Sequence, residues 1–449
     1  MSKQRIQLSD HFTYFRLLRF VLPCIGTTLF TSIYGMVDGL CVSNFVGKTA
    51  FAAVNLILPL PMLLGTIGFM LGTGGSAIVG ITLGEGDQKK ADRYFTLFLL
   101  AALVSVSVLA VLGIVFLRPI AVLLGAKGEL LDYAVRYGRI LMVCLPTFAL
   151  QNMFQSFFVT AEKPHLGFWF TVGAGCTNMV LDVLMVGIWG WGVEGAAIAT
   201  FISQLVGGVL PVFYFIDRSN SSRLHLCKTS FYSKVLWDAC INGSSELMTN
   251  LSMSLVNILY NYQLLRLAGE NGVAAYGVIM YAAFLFVAVF VGYAVGSAPI
   301  VSFHYGARNH AEVHNLYRKS LRLIAVVAVT LTLASMFIIP CVARIFVGYD
   351  AELLALTSRA FRLYALSFLI MGFNVYASSF FTALGDGVTS ALISFLRTLV
   401  FQVIAILLLP LLLGIDGIWL AVTAAELAAL AVSAAMLLTK DKVFHYRKA

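Results

Sequence analysis

The chain is 449 residues long, 60% of them hydrophobic and 11% charged, with a mean hydropathy of +0.91. A soluble domain runs about 25% charged, so a water-soluble fold of this composition would bare contiguous apolar surface, and the same composition excludes disorder. Seven cysteines without a CxxC pair exclude a disulfide scaffold, and a net charge of +9 carried between apolar runs suits anionic lipid rather than nucleic acid.

The polar N-terminal stretch (Lys3, Arg5, Asp10) leads into a full-length apolar run with no small-residue cleavage site, which predicts a retained first helix. A spanning helix needs about 20 mostly apolar residues. Runs that meet this test lie at 17–43, 50–83, 94–117, 132–159, 165–187 and 192–216. A polar connection over 217–233 follows, and six more runs lie at 234–265, 273–303, 317–340, 354–384, 388–413 and 417–438. Strand-type alternation is absent, which excludes a transmembrane barrel. The pattern predicts an all-α integral membrane protein of twelve transmembrane helices. Of the 30 basic residues, 20 fall near the termini and even-numbered loops, nine on the opposite side, and Arg397 within a span. That bias places both termini in the cytoplasm of a bacterial inner-membrane protein.

The two sides of the connection match at an offset of 222. Asn152, Ser156 and Phe158 meet Asn374, Ser378 and Phe380, while Gly74 and Gly84 meet Gly296 and Gly306. An even number of spans per half gives both copies the same orientation, a parallel repeat about an axis along the membrane normal. The expected organisation is an N-terminal six-helix lobe (1–216), a connection (217–233) and a C-terminal six-helix lobe (234–449), pseudo-symmetric about a shared cleft.

An ionised group at mid-bilayer costs roughly 2.5–3.5 kcal/mol or more, so each one kept there is a site candidate. Asp38, Asp182, Glu246 and Glu426 qualify among the acids, and Arg397 among the bases. Asp38 lies one helical turn from Tyr34. Asp182 follows Asn178 by four residues on one face of span 5, and span 6 offers Thr200 and Gln204 at the same spacing. Carboxylates beside amide and hydroxyl oxygens suit a hard monovalent cation or a proton equally. A buried network that only fixes helix packing is the alternative. In span 7, Glu246, Asn250, Asn257 and Asn261 step along one helical face, which lines a polar cavity or packs on a polar neighbour. Gln155 and Asn374 join Tyr34, Gln204, Glu246, Asn250 and Asn257 as candidates for the substrate cleft. Arg397 and Glu426 are candidates to pair with each other. Gly72–Ala77 fits a loose G-x-G-x-x-A pattern but lies in an apolar helix, where small residues allow close packing. No HExxH, GxSxG or GxxxxGK[ST] is present, so ATP-driven pumping and intramembrane hydrolysis lack their motifs, and the chain reads as a non-enzyme.

Pro23 and Asp38 in span 1, the Asn-Met-Val-Leu-Asp run at 178–182, Gly84-Glu-Gly-Asp87, Gly192-Val-Glu-Gly-Ala-Ala197 and Glu246 together resemble the multidrug and toxin extrusion (MATE) family, in its bacterial MepA-like branch. The resemblance covers about residues 12–440. It implies a V-shaped pair of six-helix lobes that export cationic, often aromatic drugs in exchange for Na+ or H+. It further implies an N-lobe cation site at Asp38, Asn178, Asp182 and Thr200, with Tyr137 beside it. Glu246 matches a C-lobe acidic position that one branch pairs with a helix 10 carboxylate. Here span 10 offers only Asn374, Ser378 and Ser379.

The reading is a secondary antiporter that needs no cofactor. It holds no metal beyond Na+ at the N-lobe site. Small cationic organic molecules are its substrates, lipid surrounds it, no nucleic acid binds, and it acts as a monomer. A lipid-linked glycan flippase of the same superfamily is the second reading, and a membrane enzyme or scaffold without a transport cycle the third.

Overall fold

The computed structural model describes residues 6–46, 48–348 and 350–447, without the side chains at 38–44, 48, 51, 340, 342, 345 and 346. All regular structure among the described residues is helical. The first lobe runs α1 (Tyr14–Phe45), short α2 (Lys48–Ile57), α3 (Pro59–Gly84), α4 (Gln88–Leu123), α5 (Gly128–Thr160) and α6 (Pro164–Leu181). A π-helical turn (Asp182–Ile188) prolongs α6, and a second (Leu205–Val209) joins α7 (Gly192–Gln204) to α8 (Leu210–Ile216). The second lobe contains α9 (Ser233–Asn242), α10 (Ser244–Gly306), α11 (His310–Val347), α12 (Ala351–Ala365) and α13 (Phe368–Ala383). It ends with α14 (Gly387–Phe395), a third π turn (Leu396–Val400), α15 (Phe401–Leu413), α16 (Ile415–Thr439) and α17 (Asp441–Phe444).

Among the described residues ten helices are long and apolar enough to cross a membrane, and α12 with α13, bent by 46°, make an eleventh. The 63-residue α10 contains a break at Gly269, whose φ of 61° is costly for any residue with a Cβ. Its two limbs fold back on each other there: the Tyr276 hydroxyl donates to Asn257 Oδ1 at 2.7 Å, and the Tyr276 ring stacks on Tyr260 at 4.9 Å. Counted as two crossings, α10 brings the total to the twelve expected.

The internal repeat extends to backbone detail. Asp87 caps α4 by accepting from the Lys90 amide, and Asn309, 222 residues later, caps α11 by accepting from the Glu312 amide. The residue before each cap, Gly86 or Arg308, has positive φ. The lobes meet along α3, α10 and α1 at glycines. A methyl carbon placed on Gly84 would fall 2.0 Å from the Phe303 carbonyl oxygen, and one on Gly306 would fall 2.1 Å from that of Ile81. Both pairs are related by the offset of 222, so two backbones clasp about the pseudo-twofold axis.

The same face of the molecule carries both termini and the inter-lobe connection. Leu8 and Phe12 are buried, and a carboxylate from each lobe holds the segment between them. Glu162 accepts from the Leu8 amide at 2.9 Å, and Glu312 from the Phe12 amide at 2.9 Å and from His11 Nδ1 at 2.6 Å. The 217–233 connection is packed as well. The His225 and Cys227 amides donate to Asp92 and Thr96 at the start of α4. Exposed Val104, Val111 and Val115 of α4 and Leu411 and Leu412 of α15 form the apolar exterior that a bilayer requires.

Candidate ion and substrate sites

In the first lobe, the end of α6 places Asn178 and Asp182 in the protein interior, 2% and 0% exposed. Asp182 opens the π turn, and such a turn shifts the side chains after it out of α-helical register. Tyr137 of α5 is buried in one apolar cluster with Val186, a turn beyond Asp182, and with Ala196 of α7, a turn before Thr200. The lobe therefore draws α5, α6 and α7 together around these candidates. Neither the amide nitrogen nor the amide oxygen of Asn178 has a hydrogen-bond partner among the described residues. Buried polar atoms in folded proteins are normally satisfied, and a carboxylate, an amide oxygen and a hydroxyl form a donor set that fits a hard cation. Thr200 donates to the Ala196 carbonyl at 3.0 Å, leaving its lone pairs for such a ligand. Asp38 lies on α1, and its side chain is outside the described residues.

The second lobe does not duplicate this set. At the offset of 222, Asn178, Asp182 and Thr200 correspond to Val400, Ile404 and Val422. Its own polar centre is Glu426 of α16. Asn374 donates to Glu426 Oε2 at 2.7 Å and to its carbonyl at 2.9 Å, and Ser433 donates to Asn374 Oδ1 at 2.9 Å. Arg397, within the third π turn, approaches Glu426 Oε1 at 3.4 Å, so the two candidates for pairing do pair. Asn374 thus orients Glu426 and does not line the cleft.

A cavity of about 280 Å³ opens beside this centre. Thr73, Ser76 and Ser156 of the first lobe close one side, and α10, α13 and α16 supply most of the rest. Glu246, Arg397 and Glu426 all line it, as does Asn257. Asn250 donates to the Glu246 carbonyl instead, and Asn261 is exposed. The stripe read from span 7 is therefore split, because Glu246 and Asn257 alone of its members reach the cavity. Gln155 borders a small crevice between the lobes with Thr27, Thr28 and Val295. Tyr34 packs on Gly175 of α6, and the Gln204 side-chain oxygen Oε1 is buried without a hydrogen-bond partner among the described residues. Sequence reasoning missed the aromatic and sulfur wall of the cavity, formed by Tyr260, Tyr276, Tyr364, Met253, Met280 and Met371. No group of three or more His, Cys, Asp or Glu among the described residues forms a metal cluster.

Known proteins match over the whole chain. The MatE family profile matches twice, at residues 23–184 and 247–408. The multidrug export protein MepA of Staphylococcus saprophyticus is 21% identical over 433 residues, 95% of this chain and 94% of that protein. MepA of Staphylococcus aureus is 21% identical over 429 residues, with the same shares covered. Among solved structures, the outward-facing conformation of a multidrug resistance MATE family transporter aligns over 100% of both chains with a TM-score of 0.92 at 22% identity. A MATE in the bent conformation aligns over 99% of both with a TM-score of 0.89 at 23% identity.

Proposed function

The chain belongs to the MatE family of multidrug and toxin extrusion transporters, and on that premise we propose that it exports cationic and amphipathic drugs across a bacterial inner membrane in exchange for H+ or Na+. The coupling ion binds at Asp182 and Asn178, with Asp38, Thr200 and Tyr137 completing the site. The drug enters the cavity beside Glu246. The observation that carries this reading is the burial of Asp182 one turn from Asn178, whose amide nitrogen and oxygen have no hydrogen-bond partner among the described residues. Retaining such a group inside the hydrocarbon is costly unless a proton or cation exchanges there.

Coupling requires that ion and drug favour opposite-facing states, since a ligand shifts an equilibrium only by its differential affinity. The glycine clasp closes the face that carries the termini, which positive-inside bias assigns to the cytoplasm. The molecule in this state is therefore shut toward the cytoplasm. A lipid-linked glycan would call for several cations in the cleft, whereas the cavity is lined by one, Arg397.

The test is dye efflux from reconstituted liposomes. Asp182→Asn keeps the size and one acceptor oxygen but removes the exchangeable charge. Gradient-driven export of a cationic dye falls at least about 100-fold while monodispersity and thermal stability stay unchanged. Export at the original rate would remove Asp182 from the coupling mechanism.

A further inference from the structure

The first lobe carries a second opening, on the face that holds the termini and away from the ion and drug sites. It is an open pocket of about 620 Å³, lined by Arg19 and Phe20 of α1, by Lys163, His165 and Trp169 at the start of α6, and by Tyr214 of α8. Arg19 is half-buried and forms no hydrogen bond or salt bridge among the described residues, although a guanidinium carries five N–H donors. Lys163, also half-buried, donates to the neutral Ser221 hydroxyl at 2.8 Å. Glu162 borders the pocket too, but Arg223 and the Leu8 amide both donate to its Oε1, so Arg223 answers its charge. The pocket keeps a positive balance. Trp169, one turn beyond His165, is 64% exposed, and such an amphipathic ring suits the headgroup level of a bilayer.

The internal repeat shows the same joint closed in the other lobe. At the offset of 222, His165 corresponds to Gly387 and Phe20 to Asn242. There the start of α14 presses on the end of α9, and a methyl carbon on Gly387 would fall 2.2 Å from Asn242 Cα. Arg19, Lys163 and Trp169 correspond to Ile241, Gly385 and Ala391. One lobe thus seals with small and apolar residues the joint that the other opens and lines with cations. We infer that the pocket binds the phosphate of an anionic phospholipid, with Arg19 as a two-pronged donor, Lys163 as a second positive charge and Trp169 beside the glycerol and upper acyl chain. Basic pockets between spanning helices fit such headgroups, and a planar guanidinium matches two phosphate oxygens. The inference needs only a membrane-spanning chain with this face at the leaflet surface, so it stands or falls apart from the exporter reading.

The test uses the purified full chain in a neutral detergent, with bound lipid counted by native mass spectrometry and thermal unfolding followed alongside. The probes are phosphatidylglycerol, phosphatidylcholine, whose choline cancels the phosphate charge, and glycerol 3-phosphate, which lacks acyl chains. The wild type binds phosphatidylglycerol about tenfold or more tighter than phosphatidylcholine and is stabilised by it, and glycerol 3-phosphate does not displace it. Arg19→Gln lowers affinity for phosphatidylglycerol by about tenfold and leaves phosphatidylcholine within about twofold. Arg19→Lys recovers part of the loss. His165→Glu guards against misfolding as the cause, because an acid suits the first turn of a helix. It keeps the lipid-free thermal stability yet repels the phosphate and removes the preference. Lys89→Gln with Lys442→Gln strips two exposed charges from the same face outside the pocket and leaves the preference intact. A wild type without preference for phosphatidylglycerol would overturn the inference, as would an unchanged preference in Arg19→Gln and His165→Glu. An equal loss in the Lys89 and Lys442 double variant would overturn it in favour of overall surface charge. Displacement by glycerol 3-phosphate at equal affinity would overturn it in favour of a soluble phosphate ester.

Discussion

Asp182 and Glu426 show how one kind of residue takes different roles in the two lobes. Each is a carboxylate buried in a helical interior, yet Glu426 is held by Asn374 and faces Arg397, while the Asn178 amide near Asp182 has no hydrogen-bond partner among the described residues. Both carboxylates were legible in the sequence, because an acid interrupting an apolar run stands out at once. Their partners were harder to read. Asn374 stood out only through the repeat, and the tyrosines of the cavity wall look the same in sequence whether they face lipid or a ligand. Outside the spans, Asp386 provides a measurable case. It caps α14 by accepting from the Thr389 amide at 3.2 Å and hydroxyl at 2.7 Å, and Lys440 reaches it at 2.8 Å. Burial pushes its carboxyl up, but the Lys440 ammonium and the Thr389 donors outweigh this and hold it below its ordinary value of 3.8. A carboxylate with a depressed folded pKa stabilises fully above its unfolded value and loses that contribution as pH falls through the folded one. Asp386→Ala should cost about 1 kcal/mol of thermal stability at neutral pH. The difference from wild type should vanish in strong acid, and a gap that persists there would show that the cap is not ionic.

At the level of elements, the polar centres coincide with departures from α-helical geometry. Asp182 opens one π turn, Gln204 precedes another, and Arg397 lies in the third. None of these turns has a sequence signature, because the extra residue is absorbed by tertiary packing; Asn178 and Asp182 keep the regular i,i+4 relation, the Asp182 amide donating to the Asn178 carbonyl, and the register changes only beyond them. The break at Gly269 was legible as the polar gap between the seventh and eighth runs. The clasp at Gly84 and Gly306 was legible only as a repeated pair of small residues. Its consequence for packing is sharp, since backbone carbonyls cannot yield as side-chain ends can. Gly84→Ala or Gly306→Ala should destabilise the clasped state by about 1–3 kcal/mol. Distances between spin labels at Lys89 and Arg308 should then lengthen. Gly35→Ala, where an added carbon meets nothing within 4 Å, serves as the control and should leave them unchanged. Unaltered distances in the Gly84 and Gly306 variants would show that the clasp does not hold the lobes together.

At the scale of the whole molecule, two copies of one six-helix design have diverged in chemistry while keeping their contacts. The offset of 222 governs the caps, the left-handed turns and the clasp, yet it pairs Asp182 with Ile404 and Gln204 with Glu426. In this account, one lobe exchanges the ion and the other supplies most of the drug cavity. The lobes communicate through α1, α3 and α10, and the N-terminal segment bridges Glu162 and Glu312 on the clasped face. Such a division demands reciprocity: if an ion gradient drives the drug, a drug gradient must drive the ion. The decisive measurement is therefore ion movement in proteoliposomes given a steep gradient of cationic dye and no ion gradient. The account predicts that dye flowing down its gradient drives H+ or Na+ the opposite way against equilibrium, and that Asp182→Asn abolishes this movement. Dye flux with neither ion displaced would contradict it.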